Sequence, residues 1–222
     1  MPFAPVYNAF RVMTGIDSIT RTSYGTLPLT SSGGYRTQLY KLLAAAGRHD
    51  VQFVGSQFVD SSAFGLPATQ GYHEGHSGFS FQDFITPDFD WTSHLAGYLA
   101  IVGTVDLFLL EGGTNEWSNG YTPAQALTHL GACLAQIKTS RPNAIVLVSD
   151  NVDSPAYSPS PATFNAGLAA VIATAVAGGQ DVRWAGAQPG VTFSADNVHP
   201  DAAGYVTMGN NMIAALLAAL PT

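Results

Sequence analysis

The sequence predicts an α/β fold built on a parallel sheet of about five strands. Three observations carry that prediction. Short β-like runs alternate with stretches of helical periodicity, the order that parallel sheets require. The run from Val105 to Leu110 is continuously apolar in the way of a strand covered on both faces. The chain has 222 residues, 46% of them hydrophobic, which is enough to bury a substantial core within one domain spanning residues 1–222.

The elements follow in order. Phe10 to Met13 is a first strand, ending in Thr14-Gly15. Residues 35 to 46 carry Tyr35, Leu39, Leu42 and Leu43 at helical spacing, and Gly47 closes them as a C-cap. Val51 to Val54 is a second strand, and Val105 to Leu110 a third. Pro123 to Ser140 is a helix with Leu127, Leu130, Leu134 and Ile137 on one face. Ala144 to Val148 is a fourth strand. An Ala-rich helix over 162–177 stops at Gly178-Gly179, and Val182 to Ala185 is a short fifth strand. Asp201 to Leu220 is a terminal helix striped by Tyr205, Met208, Met212, Leu216 and Leu220. Two segments keep no rhythm: Arg21 to Gly34, and Gly55 to about His94. Long aperiodic segments inside a compact domain are usually functional. Both follow predicted strands, and in open α/β sheets the ligand crevice lies at the strands' carboxyl ends.

Composition excludes several classes. Eight basic residues against 15 acidic ones give a formal net charge of -7, which argues against nucleic acid or an anionic membrane as partner. The single Cys133 permits no internal disulfide. It falls between Leu130, Leu134 and Ile137 and reads as a small buried hydrophobe. Leu95 to Leu110 is broken by Gly97, Gly103 and Asp106 and is too short to span a bilayer. Met1 to Pro5 has neither the basic nor the apolar region of a secretory signal. The expectation for localisation is a secreted protein in its mature form, without its signal.

Four segments can carry chemistry. Gly15-Ile16-Asp17-Ser18-Ile19-Thr20 follows the first strand, where a hydroxyl can face the crevice and backbone N–H groups can meet an oxyanion. A turn capped by Asp17 and Ser18 explains these residues at least as well. Asp196-Asn197-Val198-His199-Pro200 precedes the last helix. Its carboxylate can hold the imidazole Nδ1–H and leave Nε2 free for a serine proton, or the segment simply caps the helix. Glu111-Gly112-Gly113-Thr114-Asn115-Glu116 offers a side-chain amide at a strand end, or a Gly-rich turn. Gly71 to Phe79 contains His73, Glu74 and His76. The spacing is wrong for a helical zinc motif, and a loop of backbone donors suits it better. The G-x-S-x-G elbow is absent, since Gly75-His76-Ser77-Gly78-Phe79 fails at its last position, which leaves Ser18 as the candidate nucleophile.

Six stretches in order resemble the SGNH hydrolases, also called the GDSL family, and within them carbohydrate esterase family 3. They are Asp17-Ser18-Ile19-Thr20, Gly34-Tyr35-Arg36 with its helix, Val51 to Ser56, His73 to Gly78, Gly113-Thr114-Asn115 and Asp196 to Pro200. The resemblance implies a three-layer α/β/α sandwich of flavodoxin-like type. It implies Ser18 as nucleophile, His199 as base and acid, and Asp196 as the group orienting His199. The backbone N–H groups of Ser18 and Gly78 and the side chain of Asn115 would form the oxyanion hole, although Gly75 lies in the same block. It implies no cofactor and no metal in the chemistry. The substrate would be an acetylated polysaccharide such as xylan, or a small ester. A lipid or aryl esterase of the same superfamily is the alternative, as is a non-catalytic carbohydrate-binding relative.

Two departures stand out. Ile16 occupies the family's glycine position before Asp-Ser, and Glu116 follows Asn115 where the family has Asp. We expect Ile16 to pack inward at ordinary negative φ, with Gly15 taking any unusual dihedrals.

Overall fold

In the computed structural model, residues 9–22, 33–82 and 87–222 are described. Five strands form one parallel sheet: β1 (Phe10–Ile16), β2 (Val51–Val54), β5 (Leu107–Glu111), β6 (Ile145–Ser149) and β7 (Val182–Gly186), in the order β2-β1-β5-β6-β7. Every residue of β5 is buried, as its unbroken apolar sequence requires for a central strand covered on both faces. Two short strands, β3 (Gln57–Phe58) and β4 (Tyr72–His73), pair antiparallel beyond the end of β2.

Helices cover both faces of the sheet. On one side lie α2 (Tyr35–Ala45) and α7 (Ala202–Ala219), packing Leu39, Leu43, Met208, Met212 and Leu216 over Val12, Leu107, Leu109 and Leu147. The two helices touch closely: a Cβ at Gly209 would stand 2.7 Å from the Gln38 side chain and 3.0 Å from the Tyr35 carbonyl. On the other side lie α3 (Trp91–Val102), α5 (Pro123–Ser140) and α6 (Ser160–Ala177), around Met13, Phe108, Leu110, Val146 and Val148. Cys133 is buried in this second core. The helix α6 is long and apolar enough to cross a membrane by composition, yet it packs on the sheet layer through Pro161, Phe164 and Leu168. The result is the three-layer α/β/α sandwich.

The helix α3 falls where no element is predicted. Its first turn lies at the end of the aperiodic stretch from Gly55 to His94, and its second half opens the apolar run from Leu95. Asp90 caps it by accepting the Ser93 N–H at 3.1 Å. Its buried face is Trp91, Leu95, Tyr98 and Leu99, a regular helical stripe. Gly97 and Gly103 mask that period in the sequence: the first sits in open space, and the second ends the helix at φ 82°. The segment Arg21 to Gly34 lies mostly outside the described residues.

Ile16 is the last residue of β1 and is fully buried. Thr22 and Asn197 are the only described non-glycine residues with positive φ, so Ile16 is unstrained. Gly15 does not take up unusual dihedrals either, which corrects that part of the expectation. Gly15 is needed for space: a Cβ there would stand 3.3 Å from the Trp91 ring. Gly112 makes the matching room for Ile16, since a Cβ at 112 would stand 3.2 Å from that of Ile16. Ile16→Gly is therefore expected to lower unfolding free energy by roughly 3–5 kcal/mol, the cost of emptying a full aliphatic site plus backbone freedom. Denaturant titration checks it; a variant as stable as the parent would contradict this packing.

Candidate active site

The site begins at the carboxyl end of β1. The chain turns at once into a one-turn helix, α1 (Ser18–Arg21), with Asp17 as N-cap accepting the Ile19 N–H at 2.8 Å. Ser18 is thus the first residue of a helix held rigidly at a strand end. Thr22, in the left-handed region at φ 70°, closes the turn.

The segment after β4 runs alongside this corner. The N–H of Glu74 donates to the Thr14 carbonyl at 2.8 Å, and that of His76 to the Ile16 carbonyl at 2.9 Å. Gly75 between them presses on α1: a Cβ there would lie 2.5 Å from the Arg21 nitrogen. The strip then delivers Gly78, at φ 83°, to the cavity beside Ser18, with the Phe89 ring 3.2 Å from where its Cβ would be. Gly78 rather than Gly75 lines that cavity. Neither His of the block faces it. His73 is buried, accepts the Gly75 N–H on Nδ1 at 3.1 Å, and is pushed well below the usual imidazole range, first by burial. His76 pairs with the buried Glu74 at 2.6 Å and stacks on Tyr98. Among the described residues, no three His, Cys, Asp or Glu stand together as a metal site.

Asn115 arrives from the end of β5 through α4 (Thr114–Ser118). Gly113 makes the bend at φ 115°, where a side chain would be strained. One N–H of the Asn115 amide donates to the Phe79 carbonyl at 2.8 Å, which fixes the amide and leaves its second N–H for the cavity. Glu116 accepts the Phe81 N–H at 2.7 Å, so the extra methylene serves to hold the strip that holds Asn115. Asn151, at the end of β6, ties α4 down from below. Its amide nitrogen lies 3.1 Å from the Gly112 carbonyl and 3.2 Å from Thr114 Oγ1, and its oxygen accepts from Trp117.

The turn before α7 brings the remaining two groups. Ser18 Oγ stands 2.8 Å from His199 Nε2, across 181 residues of sequence. His199 Nδ1 stands 2.7 Å from Asp196 Oδ2. Asp196 Oδ1 accepts the N–H groups of Val198 and His199, each at 2.9 Å, and the Ser194 hydroxyl at 2.7 Å. Partial burial pushes this carboxyl up, but those donors and the His199 ring outweigh it and hold it well below the usual carboxylate range. An ionised Asp196 can only accept, so Nδ1 carries the proton and Nε2 is left to receive one from Ser18. A D-x-x-H turn, with Asn197 left-handed at φ 58°, therefore both orients the imidazole and selects its tautomer.

These groups line one cavity of about 400 Å³, which holds Ser18, Gly78, Asn115, Asp196 and His199 together. Phe89, Tyr157, Ser118 and Asn119 line it as well. Phe89 and Tyr157 sit in aperiodic sequence that carries no signal, whereas Asn151 follows a predicted strand and was open to the strand-end rule. A larger groove of about 630 Å³ lies between α5 and α6, lined by Leu127, Leu134 and Val171 and by none of the candidate residues. A hydroxyl, an imidazole and a carboxylate in line, beside a fixed amide donor, are the parts needed for acyl transfer through a covalent intermediate.

Comparison with known proteins bears on the fold and the family. The chain is 30% identical over 134 residues to a multidomain esterase of Ruminococcus flavefaciens, a match covering 54% of this chain and 17% of that protein. It therefore spans only a small part of that relative's length. A family 3 carbohydrate esterase of Clostridium thermocellum superposes with a TM-score of 0.72 at 27% identity, covering 95% of this chain and 98% of the other. A family 3 carbohydrate esterase from Talaromyces cellulolyticus shares the fold with a TM-score of 0.77 at 20% identity, covering 94% and 96%. The profile of the GDSL-like lipase/acylhydrolase family matches residues 17–206, and the chain belongs to that family.

Proposed function

We propose that the protein hydrolyses carboxylic esters through an acyl-enzyme on Ser18, and that its substrates are acetyl esters of a carbohydrate such as xylan. The line from Ser18 Oγ through His199 to Asp196, at 2.8 and 2.7 Å and facing the cavity, carries this reading. Ser18 Oγ attacks the ester carbonyl as His199 Nε2 takes its proton. The oxyanion is received by the backbone N–H groups of Ser18 and Gly78 and the free N–H of Asn115. His199 returns the proton to the leaving alcohol, then draws one from water as the acyl-enzyme is hydrolysed. Asp196 stays ionised throughout and stabilises the imidazolium. The carbohydrate alcohol is supported by the likeness to family 3 carbohydrate esterases and by a cavity rimmed with Phe89 and Tyr157. The acetyl group rests on the family resemblance.

Ser18→Ala tests the reading directly. On a panel of acetylated sugars and longer-chain aryl esters, the parent should favour the acetylated sugars, and the variant should show no turnover while keeping its circular dichroism and melting temperature. Turnover at the parental rate in Ser18→Ala would end the mechanism. Asn115→Ala should lower kcat by ~10²–10³ with little change in KM, because the amide meets charge present only in the transition state. A rise in KM alone would move Asn115 to substrate recognition. The Asp196 carboxyl is held well below the usual carboxylate range, so it should stay ionised through that range and protonate only below it. Its carboxyl resonance, followed by NMR from neutral pH downward, should keep its ionised position through that range; a shift within it would contradict the hydrogen bonds drawn to this carboxylate.

A further inference from the structure

Beneath Ser18 lie two carboxyl groups that the proposed reaction does not use. Asp17 and Glu111 are both fully buried. The parallel register pairs Ile16 with Glu111, so Asp17 is the next residue beyond that rung. One oxygen of each is engaged: Asp17 Oδ1 by the Ile19 N–H at 2.8 Å, and Glu111 Oε1 by the Asn151 amide at 3.4 Å. Asp17 Oδ2 and Glu111 Oε2 are buried with no donor at hydrogen-bond distance, while the Thr20 N–H and Thr114 hydroxyl also act on the Asp17 carboxyl and the Val152 N–H on that of Glu111. No cation reaches them by salt bridge among the described residues. The buried Arg36 donates through Nη1 to the Thr20 carbonyl, and its Nε and Nη2 are buried without a hydrogen-bond partner.

We propose that Asp17 Oδ2 and Glu111 Oε2 share a single proton, and that this pair positions Ser18 for the reaction proposed above. Two ionised carboxylates side by side in a dry site repel strongly, and two unmet acceptors cost free energy. One O–H between them removes both penalties, leaving a donor, an acceptor and one negative charge. Other titratable groups act by charge on the pair: Tyr35 of α2, Tyr205 of α7 and His199 of the turn before α7, with Arg36 acting on the two tyrosines. Burial pushes the Asp17 carboxyl up to about 6, and burial followed by the charge of Asp17 pushes Glu111 well above the carboxylate range. The sign follows: a raised carboxyl stabilises the fold while protonated, and that contribution is lost as pH rises through the folded value. Glu111 is a positioning residue. Its proton keeps Asp17 on the Ile19 N–H, and that cap keeps Ser18 at the start of α1. Loss of the proton puts a second charge against Asp17 and loosens the cap.

Infrared difference spectra, together with alkaline pH profiles, test this. The wild type at pH 7 should show a carboxylic acid C=O band that disappears in Glu111→Gln, whose amide N–H can replace the shared proton toward Asp17. In the wild type, kcat/KM should fall with rising pH over the same range in which that band is lost, and Glu111→Gln should lack this limb. Only ionised carboxylate bands in the difference spectrum at pH 7 would overturn the shared proton. Superimposable alkaline profiles would overturn the positioning role. Should Glu111→Gln not fold, the wild-type infrared titration decides alone: no acid band at pH 7 overturns the proposal, and a band lost in step with activity supports it. The infrared readout needs no turnover, so its failure is distinct from retained activity in Ser18→Ala, which would sink the proposed function instead.

Discussion

The site depends on two backbone hydrogen bonds, from Glu74 and His76 to the carbonyls of Thr14 and Ile16. They continue the ladder of β1 past the sheet proper and lay the 74–78 strip against the corner that bears Ser18. The Trp91 indole donates to the Glu74 carbonyl at 3.1 Å and anchors the strip to α3. From that strip come Gly78 at the cavity wall and the Phe79 carbonyl that orients Asn115. Without it the corner would still form, because Asp17 caps α1 locally, but the amide donor would have nothing to hold it in line. Precise placement of donors is what electrostatic stabilisation of an oxyanion requires.

The same corner shows how little room the fold leaves. Gly15 lies under Trp91, Gly112 under Ile16, and Gly75 on the backbone of α1. Each is a contact glycine in ordinary extended or turn geometry, unlike Gly78 and Gly113, which are there for their dihedrals. Close packing of backbone on side chain gives the corner its rigidity, and buried side chains resist such rearrangement. Ile16 in the family's glycine position is accommodated by Gly112 opposite it rather than by strain.

Much of this was legible in the sequence, for physical reasons. All five strands of the main sheet were: the inner strands β1, β5 and β6 write apolar runs because both their faces are covered, and turn residues bound the short edge strands β2 and β7. Asp196 and His199 were legible because one four-residue turn contains their whole geometry. The helix α3 was hidden by two glycines, one on its exposed face and one at its end, which blurred its period. The strands β3 and β4 were too short to show alternation. The Asp17–Glu111 pair was invisible because its partners lie on neighbouring strands, and register is a property of pairing rather than of either segment. Asn151 stands between the two: it follows a predicted strand end, but its hydrogen bonds reach back to Gly112 and Thr114 and show only in the fold.

The distance of 181 residues between Ser18 and His199 has a consequence for biosynthesis. Ser18 is translated before His199, and its corner can form with β1, β2 and β5. The imidazole arrives only when the turn before α7 is made, and it is seated by α7 closing on α2 through Gly209. Long-range contacts of this kind form late because a large loop must be closed first. Under the proposed mechanism, the nascent chain up to that moment holds a serine without its base. Under that mechanism, appearance of turnover during refolding would mark the docking of α7 on α2, as a chemical clock for that step.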